Sequence, residues 1–175
     1  MRFLFPLFLI FTAIGLSIYA YLGGLRTPIV ALETTAAPLL LAGQPYAGKV
    51  DGARFGELFR EASTMQANGR FGPARTLANL YYNDPEKAHD SIRAFVGLTV
   101  SDTTAALPAG WRYRVVPAGQ RTMHARLAGA SFMLTPGKLY TAAEEQIKAQ
   151  KLTKQPPYLE QFGAGDNSEL WIGVK

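Results

Sequence analysis

Apolar and polar positions along the chain fall into three patterns, and each predicts a different element. From Phe3 to Leu22, "FLFPLFLIFTAIGLSIYAYL", 20 residues pass without a charge. At about 1.5 Å per residue a helix of that length reaches across the ~30 Å hydrocarbon core of a bilayer. Arg2 and Arg26 bracket the run, and Tyr19 and Tyr21 stand where an interfacial aromatic belt falls. These features predict a transmembrane anchor over residues 1–25. A cleaved signal peptide ending at Ala20 is the rival, disfavoured by Ile18 where a small residue belongs. Arg2 against Arg26 does not orient the segment.

Residues 26–37 read as a juxtamembrane linker, and residues 38–175 as one folded domain. Here the other two patterns, helical and alternating, appear twice in the same order. A strand near Leu39–Ala42 precedes a helix over 52–68, with Asp51 as N-cap, Gly69 as C′ residue, and Phe55, Leu58, Phe59, Ala62 and Met65 on one face. Strands follow at 77–82 and 92–100. The second of these alternates, with Ile92, Ala94, Val96, Leu98 and Val100 on one side and Arg93, Phe95 and Thr99 on the other. In the second half "WRYRVV" and "RTMHARLAG" read as strands. A helix over 135–151 follows, capped by Thr135–Pro136 and carrying Leu139, Ala143 and Ile147 on its apolar face. A hairpin of strands 157–162 and 169–174 closes the chain. The repeat offset is roughly 80 residues. The predicted class is therefore α+β: two tandem β-α-β-β modules forming an antiparallel sheet with helices on one face, preceded by one transmembrane helix.

Composition narrows the function classes. The net charge of +5 is spread along the chain without a basic cluster, so nucleic-acid binding is not indicated. The chain has no cysteine, which removes disulfides and thiolate chemistry. His89, read as an exposed turn residue, and His124 lack acidic partners at metal-ligand spacing. Ser91, Ser131 and Ser168 lack a nucleophile elbow. No metal, cofactor or catalytic residue is assigned, and protein partners are left open. Trp111 reads equally as core or groove.

Alternation in the last hairpin sets Leu159 beside Leu170, Ile172 and Val174 under a helix. Tyr158, Glu160, Phe162 and Trp171 then take the opposite face, with Tyr82 (or Tyr81) and Phe95 as first-half counterparts. Of the tyrosine pair, Tyr82 is expected to face that groove and Tyr81 its edge. A carboxylate among rings is either paired by an internal arginine such as Arg93 or Arg112, or left for a cationic ligand.

The stretches "GELFREA", "LYYNDP", "RAFVG", "YRVVPAG", "IKAQKL" and "PYLEQF" resemble GyrI-like domains, the effector-binding domains of bacterial multidrug regulators. With the apolar N-terminus, the chain more closely resembles the membrane-anchored branch related to the testis-expressed ER-phagy receptor of animals. That resemblance implies a groove between two modules that binds small lipophilic or cationic molecules, with Glu160 as its acidic residue and Tyr81–Tyr82 at its wall. "YYNDP" stands where many relatives have "YYDNP", and "PYAGKV" replaces a "GPY" pattern. The expected ligand site is Glu160, Tyr82, Tyr81, Phe95, Tyr158, Phe162 and Trp171. The expected partners are a small lipophilic or cationic molecule (or a peptide segment) and the lipid bilayer, through residues 3–22. The resemblance favours a single-pass membrane protein with its domain on the cytoplasmic side. Two other functions are weighed: hydrolysis of a small lipophile by the groove glutamate, and a membrane adaptor without a ligand. "FGEL" and "WIGV" fit an autophagy-modifier pattern but lie in predicted regular structure, so receptor function is not carried over.

Overall fold

A computed structural model describes residues 4–72, 76–88, 90–163 and 166–175. Helix α1 (Leu4–Tyr21) leads into strands β1 (Ile29–Thr34) and β2 (Leu39–Gly48), helix α2 (Ala53–Ala67), and strands β3 (Leu77–Tyr81) and β4 (Ile92–Val100). Strands β5 (Arg112–Val116) and β6 (Arg121–Leu127), helix α3 (Thr135–Ala149), and strands β7 (Lys154–Phe162) and β8 (Ser168–Val174) complete the chain. All strands join one antiparallel sheet in the order β1-β6-β8-β7-β3-β4-β2-β5.

That order shows how the duplication is assembled. Each module contributes a strand pair (β3–β4, β7–β8) and the strand before its helix (β2, β6), and the modules meet where β3 pairs with β7. Each module also lends a strand to the other. β1 pairs with β6 of the second half, and β5 with β2 of the first. Residues 29–34, expected in the linker, are therefore an edge strand of the sheet. Their pattern "IVALET" carries apolar Val30 and Leu32 onto the helix-side core, which gives β1 a reason to pair that a linker lacks.

Helix caps refine the expected boundaries. Gly52, not Asp51, is the N-cap of α2, and no side-chain bond closes that end. At its other end Gly69 is at φ +62, with Gly69 N–H donating to Gln66 O and Arg70 N–H to Met65 O. That is the paired bonding of a Schellman motif. Thr135 is the first helical residue of α3 rather than its cap; its hydroxyl donates to Ser131 O at 2.8 Å. Pro136 sits in the first turn, as expected, and Lys148 stands in the last.

Both helices cover one face of the sheet. Leu139, Ala143 and Ile147 of α3 pack on Ile92, Met123, Leu170 and Ile172, while Ala62, Phe59 and Met65 of α2 pack on Leu77, Leu98 and Trp111. Trp111 is core: its indole donates to Glu61 at 2.7 Å and its ring stacks on Phe71. The other face carries a smaller apolar cluster of Leu41, Ala78, Leu80, Phe95, Val116 and Leu159.

Helix α1 stands apart from this core. Its 18 residues rise about 27 Å, short of the ~30 Å of a hydrocarbon core. Among the described residues no helix is long and apolar enough to cross a membrane, so the spanning helix expected over residues 3–22 is not found there. Phe8, Ile10, Phe11, Ile14, Leu16 and Ile18 of α1 are nonetheless all exposed.

Candidate functional site

The junction of the modules sets one residue from each half across from the other. In the β3–β7 register Asn79 lies opposite Glu160, Leu80 opposite Leu159, and Tyr81 opposite Tyr158. Side chains alternate along a strand, so Asn79, Tyr81, Tyr158, Glu160 and Phe162 share the face under the helices. Above them α2 and the start of α3 leave a cleft of about 310 Å³. Its floor is Asn79, Tyr81 and Glu160; its walls are Phe55, Gly56 and Phe59 of α2, Phe132 and Pro136 at the head of α3, Val50 and Phe162. The rings interlock. Phe59 stacks on Phe132 with centroids 6.3 Å apart and meets Phe162 edge-on at 5.9 Å, and Phe55 lies 6.4 Å from Tyr81.

Glu160 is buried at the bottom. The Asn79 side-chain amide donates to its Oε2 at 3.2 Å, and the Tyr81 hydroxyl donates to the same oxygen at 3.0 Å. Among the described residues no lysine, arginine or histidine lies within ion-pair distance of it. Arg93 and Arg112, the candidate internal partners, point to solvent. Burial raises the Glu160 carboxyl above the ordinary carboxylate range, and the donors Asn79, Tyr81 and Tyr140 pull it part of the way back. Burial and the Glu160 charge together push the Tyr81 hydroxyl well above its usual value, so Tyr81 remains a donor. Tyr140 of α3 is raised for the same two reasons. The ensemble is an acceptor held by neutral donors in an aromatic well.

Of the seven expected site residues, the structure brings four to the helix face and three to the other. Tyr81, Glu160 and Phe162 line the cleft, and Tyr158 packs beside them in the core beneath α3. Tyr82, Phe95 and Trp171 belong to the opposite cluster. The expectation for the tyrosine pair is thus reversed. Tyr81 meets Glu160, while the Tyr82 hydroxyl accepts from Arg114 Nε at 2.8 Å with that guanidinium 5.3 Å above its ring. Leu159 goes to the back face opposite Trp171. A one-residue error of phase along β7 produces the whole inversion.

Sequence reasoning passed over Asn79 and Phe132 as site residues and took Phe55 and Phe59 for core alone. A visible signal for Asn79 was an amide in the middle of the otherwise apolar "TLANLYY".

The back face has chemistry of its own. The ring of the buried His124 stacks on Trp171 at 3.7 Å, its Nδ1 lies 3.0 Å from Glu33 and its Nε2 2.9 Å from Glu169. Arg126 also pairs with Glu33. The acidic partners of His124 are thus distant in sequence, from β1 and β8. Bonding to His124 holds the Glu169 carboxyl below its ordinary range. No group of metal-ligating side chains occurs among the described residues, and His89 lies outside them. Beside Trp171 runs an apolar groove of about 240 Å³, walled by Pro38, Leu39, Val116, Pro117 and Pro157.

No family model and no curated protein matches the sequence. The fold does match solved structures. An integron cassette protein from the mobile metagenome of Vibrio cholerae superposes with a TM-score of 0.62 at 11% identity, covering 85% of this chain and 96% of that one. The C-terminal domain of EcmrR gives 0.58 at 11% identity, over 86% and 98%. SAV2435, solved bound to tetraphenylphosphonium, gives 0.50 at 14% identity, over 85% and 93%. The architecture of this chain is the fold these three proteins share.

Proposed function

We propose that this chain is a lipid-associated GyrI-like binding domain that captures lipophilic cations in the cleft between α2 and α3. One observation carries the reading: Glu160 is buried, is hydrogen-bonded only by neutral donors, and has no counter-ion among the described residues. A buried, uncompensated carboxylate weakens a fold. A cation seated against it regains the charge pairing, and the faces of Phe55, Phe59, Phe132 and Phe162 add cation–π attraction of about 0.5–2 kcal/mol. The cleft volume suits a small organic ion, and a protein of this fold, SAV2435, has been solved with one. The lipid association in this reading rests on the exposed apolar side chains of α1, a surface that water covers poorly. The resemblance favours the cytoplasmic side for the domain.

Isothermal titration of the full chain in detergent with tetraphenylphosphonium tests the site. Micromolar binding is expected, with Glu160→Gln weakening it about 10–100-fold, equivalent to about 1.4–2.8 kcal/mol. Binding of neutral tetraphenylsilane is expected to be unchanged. Equal loss for both ligands would make Glu160 a structural residue and sink the proposal.

A further inference from the structure

The wall of the Glu160 cleft and the joint of α1 are one segment. Residues 128–134 connect β6 to α3, and Phe132 in this loop forms the rim of the cleft. One residue earlier, Ser131 N–H donates to Leu22 O at 2.9 Å, just past the end of α1. The joint is tightly built. Gly23 has φ +79 and lies so close to Gly129 O and Ala130 that a Cβ would come within 2.5 Å of both. Gly24 is pressed on the Tyr19 ring in the same way. Lys138, in the first turns of α3, donates to the Gly24 and Arg26 carbonyls and so fixes α3 to the same turn.

Around this joint apolar side chains face outward. Leu25 is 75% exposed, Ile29 69%, Phe132 58% and Met133 79%. They continue the exposed apolar surface of α1 onto the domain, and Arg26 and Lys138 supply positive charge beside them. Apolar side chains flanked by basic groups at the end of an apolar helix are the composition of a membrane interface. The same rim is the mouth of the cleft.

We infer that the segment 128–134, with Leu25 and Ile29, seats the mouth of the Glu160 cleft on the lipid surface. A lipophilic cation concentrated in the interface then meets Glu160 without returning to water. This rests on the cleft and the lipid-bound α1 proposed above. The partner is the bilayer, because the patch is continuous with α1 and shares its chemistry.

The lack of cysteine in the chain makes the test clean. Met133→Cys and, as a control at the distant β5–β6 turn, Ala118→Cys are each labelled with an environment-sensitive fluorophore on the full chain. The labelled proteins are reconstituted in phosphatidylcholine–phosphatidylglycerol vesicles containing nitroxide-bearing lipids. Quenching at 133 is expected to exceed that at 118 at least threefold, and to persist in a Glu160→Gln background. Quenching at 133 no greater than at 118 overturns the inference, even where tetraphenylphosphonium still binds in detergent. Quenching that persists while tetraphenylphosphonium fails to bind supports the lipid contact and removes the cation site instead. A disulfide-linked dimer of unlabelled M133C without lipid quenching assigns the patch to a second copy of the chain, and also overturns the inference.

Discussion

The two halves of the chain build one scaffold twice and then place different chemistry on it. At the sheet centre the first half supplies a neutral amide, Asn79, and the second a carboxylate, Glu160. The connection into α2 spans residues 49–52, whereas that into α3 spans residues 128–134 and carries both the Phe132 rim and the α1 joint. Helix α2 buries only Leu58 and Ala62; α3 buries Thr135, Leu139, Tyr140, Ala143 and Ile147. The second half is the more deeply embedded, and it also holds the charge and the long loop. Duplication supplied a symmetric frame with a groove at its axis. The two sides of that groove differ: one carries the amide, the other the carboxylate and the longer connection.

The largest expected contrast is in packing. Leu58 and Leu139 occupy corresponding positions on α2 and α3, and both are buried. Truncation to alanine costs about 2–5 kcal/mol in a core, more where the surroundings cannot relax. Leu139 sits in the cluster formed with Met123, Leu170 and Ile172. Leu139→Ala is therefore expected near the upper end of that range and Leu58→Ala near the lower, measured by urea titration. Equal costs would make the two helices energetically equivalent despite their unequal burial.

The next contrast is electrostatic. Asn79→Ala removes a donor that holds the Glu160 carboxyl down, so that carboxyl rises further above its ordinary range. Losing a hydrogen bond to a charged acceptor is worth about 1.5–3 kcal/mol. The sign follows from linkage. A carboxyl raised in the folded state binds its proton more tightly there than in the unfolded chain. Its ionisation therefore lowers stability as pH rises from the ordinary carboxylate value through the folded one. Cation capture needs the ionised form, so affinity falls as pH drops through the folded value. Asn79→Ala should move that fall to higher pH, read by tetraphenylphosphonium titration across pH 4–8. An unmoved profile would show that Asn79 contributes nothing to the charge of the site.

Much of this scaffold was legible in the sequence, for reasons that also explain what was not. Strand β4 announces its face because Arg93 is exposed between the buried Ile92 and Ala94. The two helices show their apolar stripes and the offset near 80 residues. Strands β3 and β7 lie at the centre, buried on both sides. All five residues of β3 are buried, as are the consecutive Tyr158, Leu159 and Glu160 of β7. Hydropathy cannot phase such a strand, because an apolar side chain satisfies either face. Alternation therefore sets Leu159 under the helices and Trp171 beside Glu160, whereas Leu159 and Trp171 share the back face and Glu160 lies on the other. Strand β1 was missed because its partner, β6, is about 90 residues away and only pairing reveals it. The acidic partners of His124 were hidden by the same distance.

The smallest contrast lies at the two helix ends. Both helices close with the same pair of backbone bonds. For α2 they run from Gly69 N–H to Gln66 O and Arg70 N–H to Met65 O; for α3 from Lys151 N–H to Lys148 O and Leu152 N–H to Ile147 O. The residue at the turning point has φ +62 in the first case and +55 in the second. Glycine adopts that conformation freely, while a residue with a Cβ gives up about 1–2 kcal/mol. A Cβ at Gly69 would meet no atom within 4 Å, so Gly69→Ala isolates the conformational cost. It should destabilise by about 1 kcal/mol. Lys151→Gly recovers a similar strain energy, but loses about 0.3–1 kcal/mol of favourable charge at the helix C-terminus and adds freedom to the unfolded chain. A net gain of about 0.5 kcal/mol remains, visible as a small rise in Tm at low salt and a larger one at high salt, where the dipole interaction is screened. A fall in Tm at both salt concentrations would mean that the Lys151 side chain holds the second half together in a way the glycine of the first half does not need.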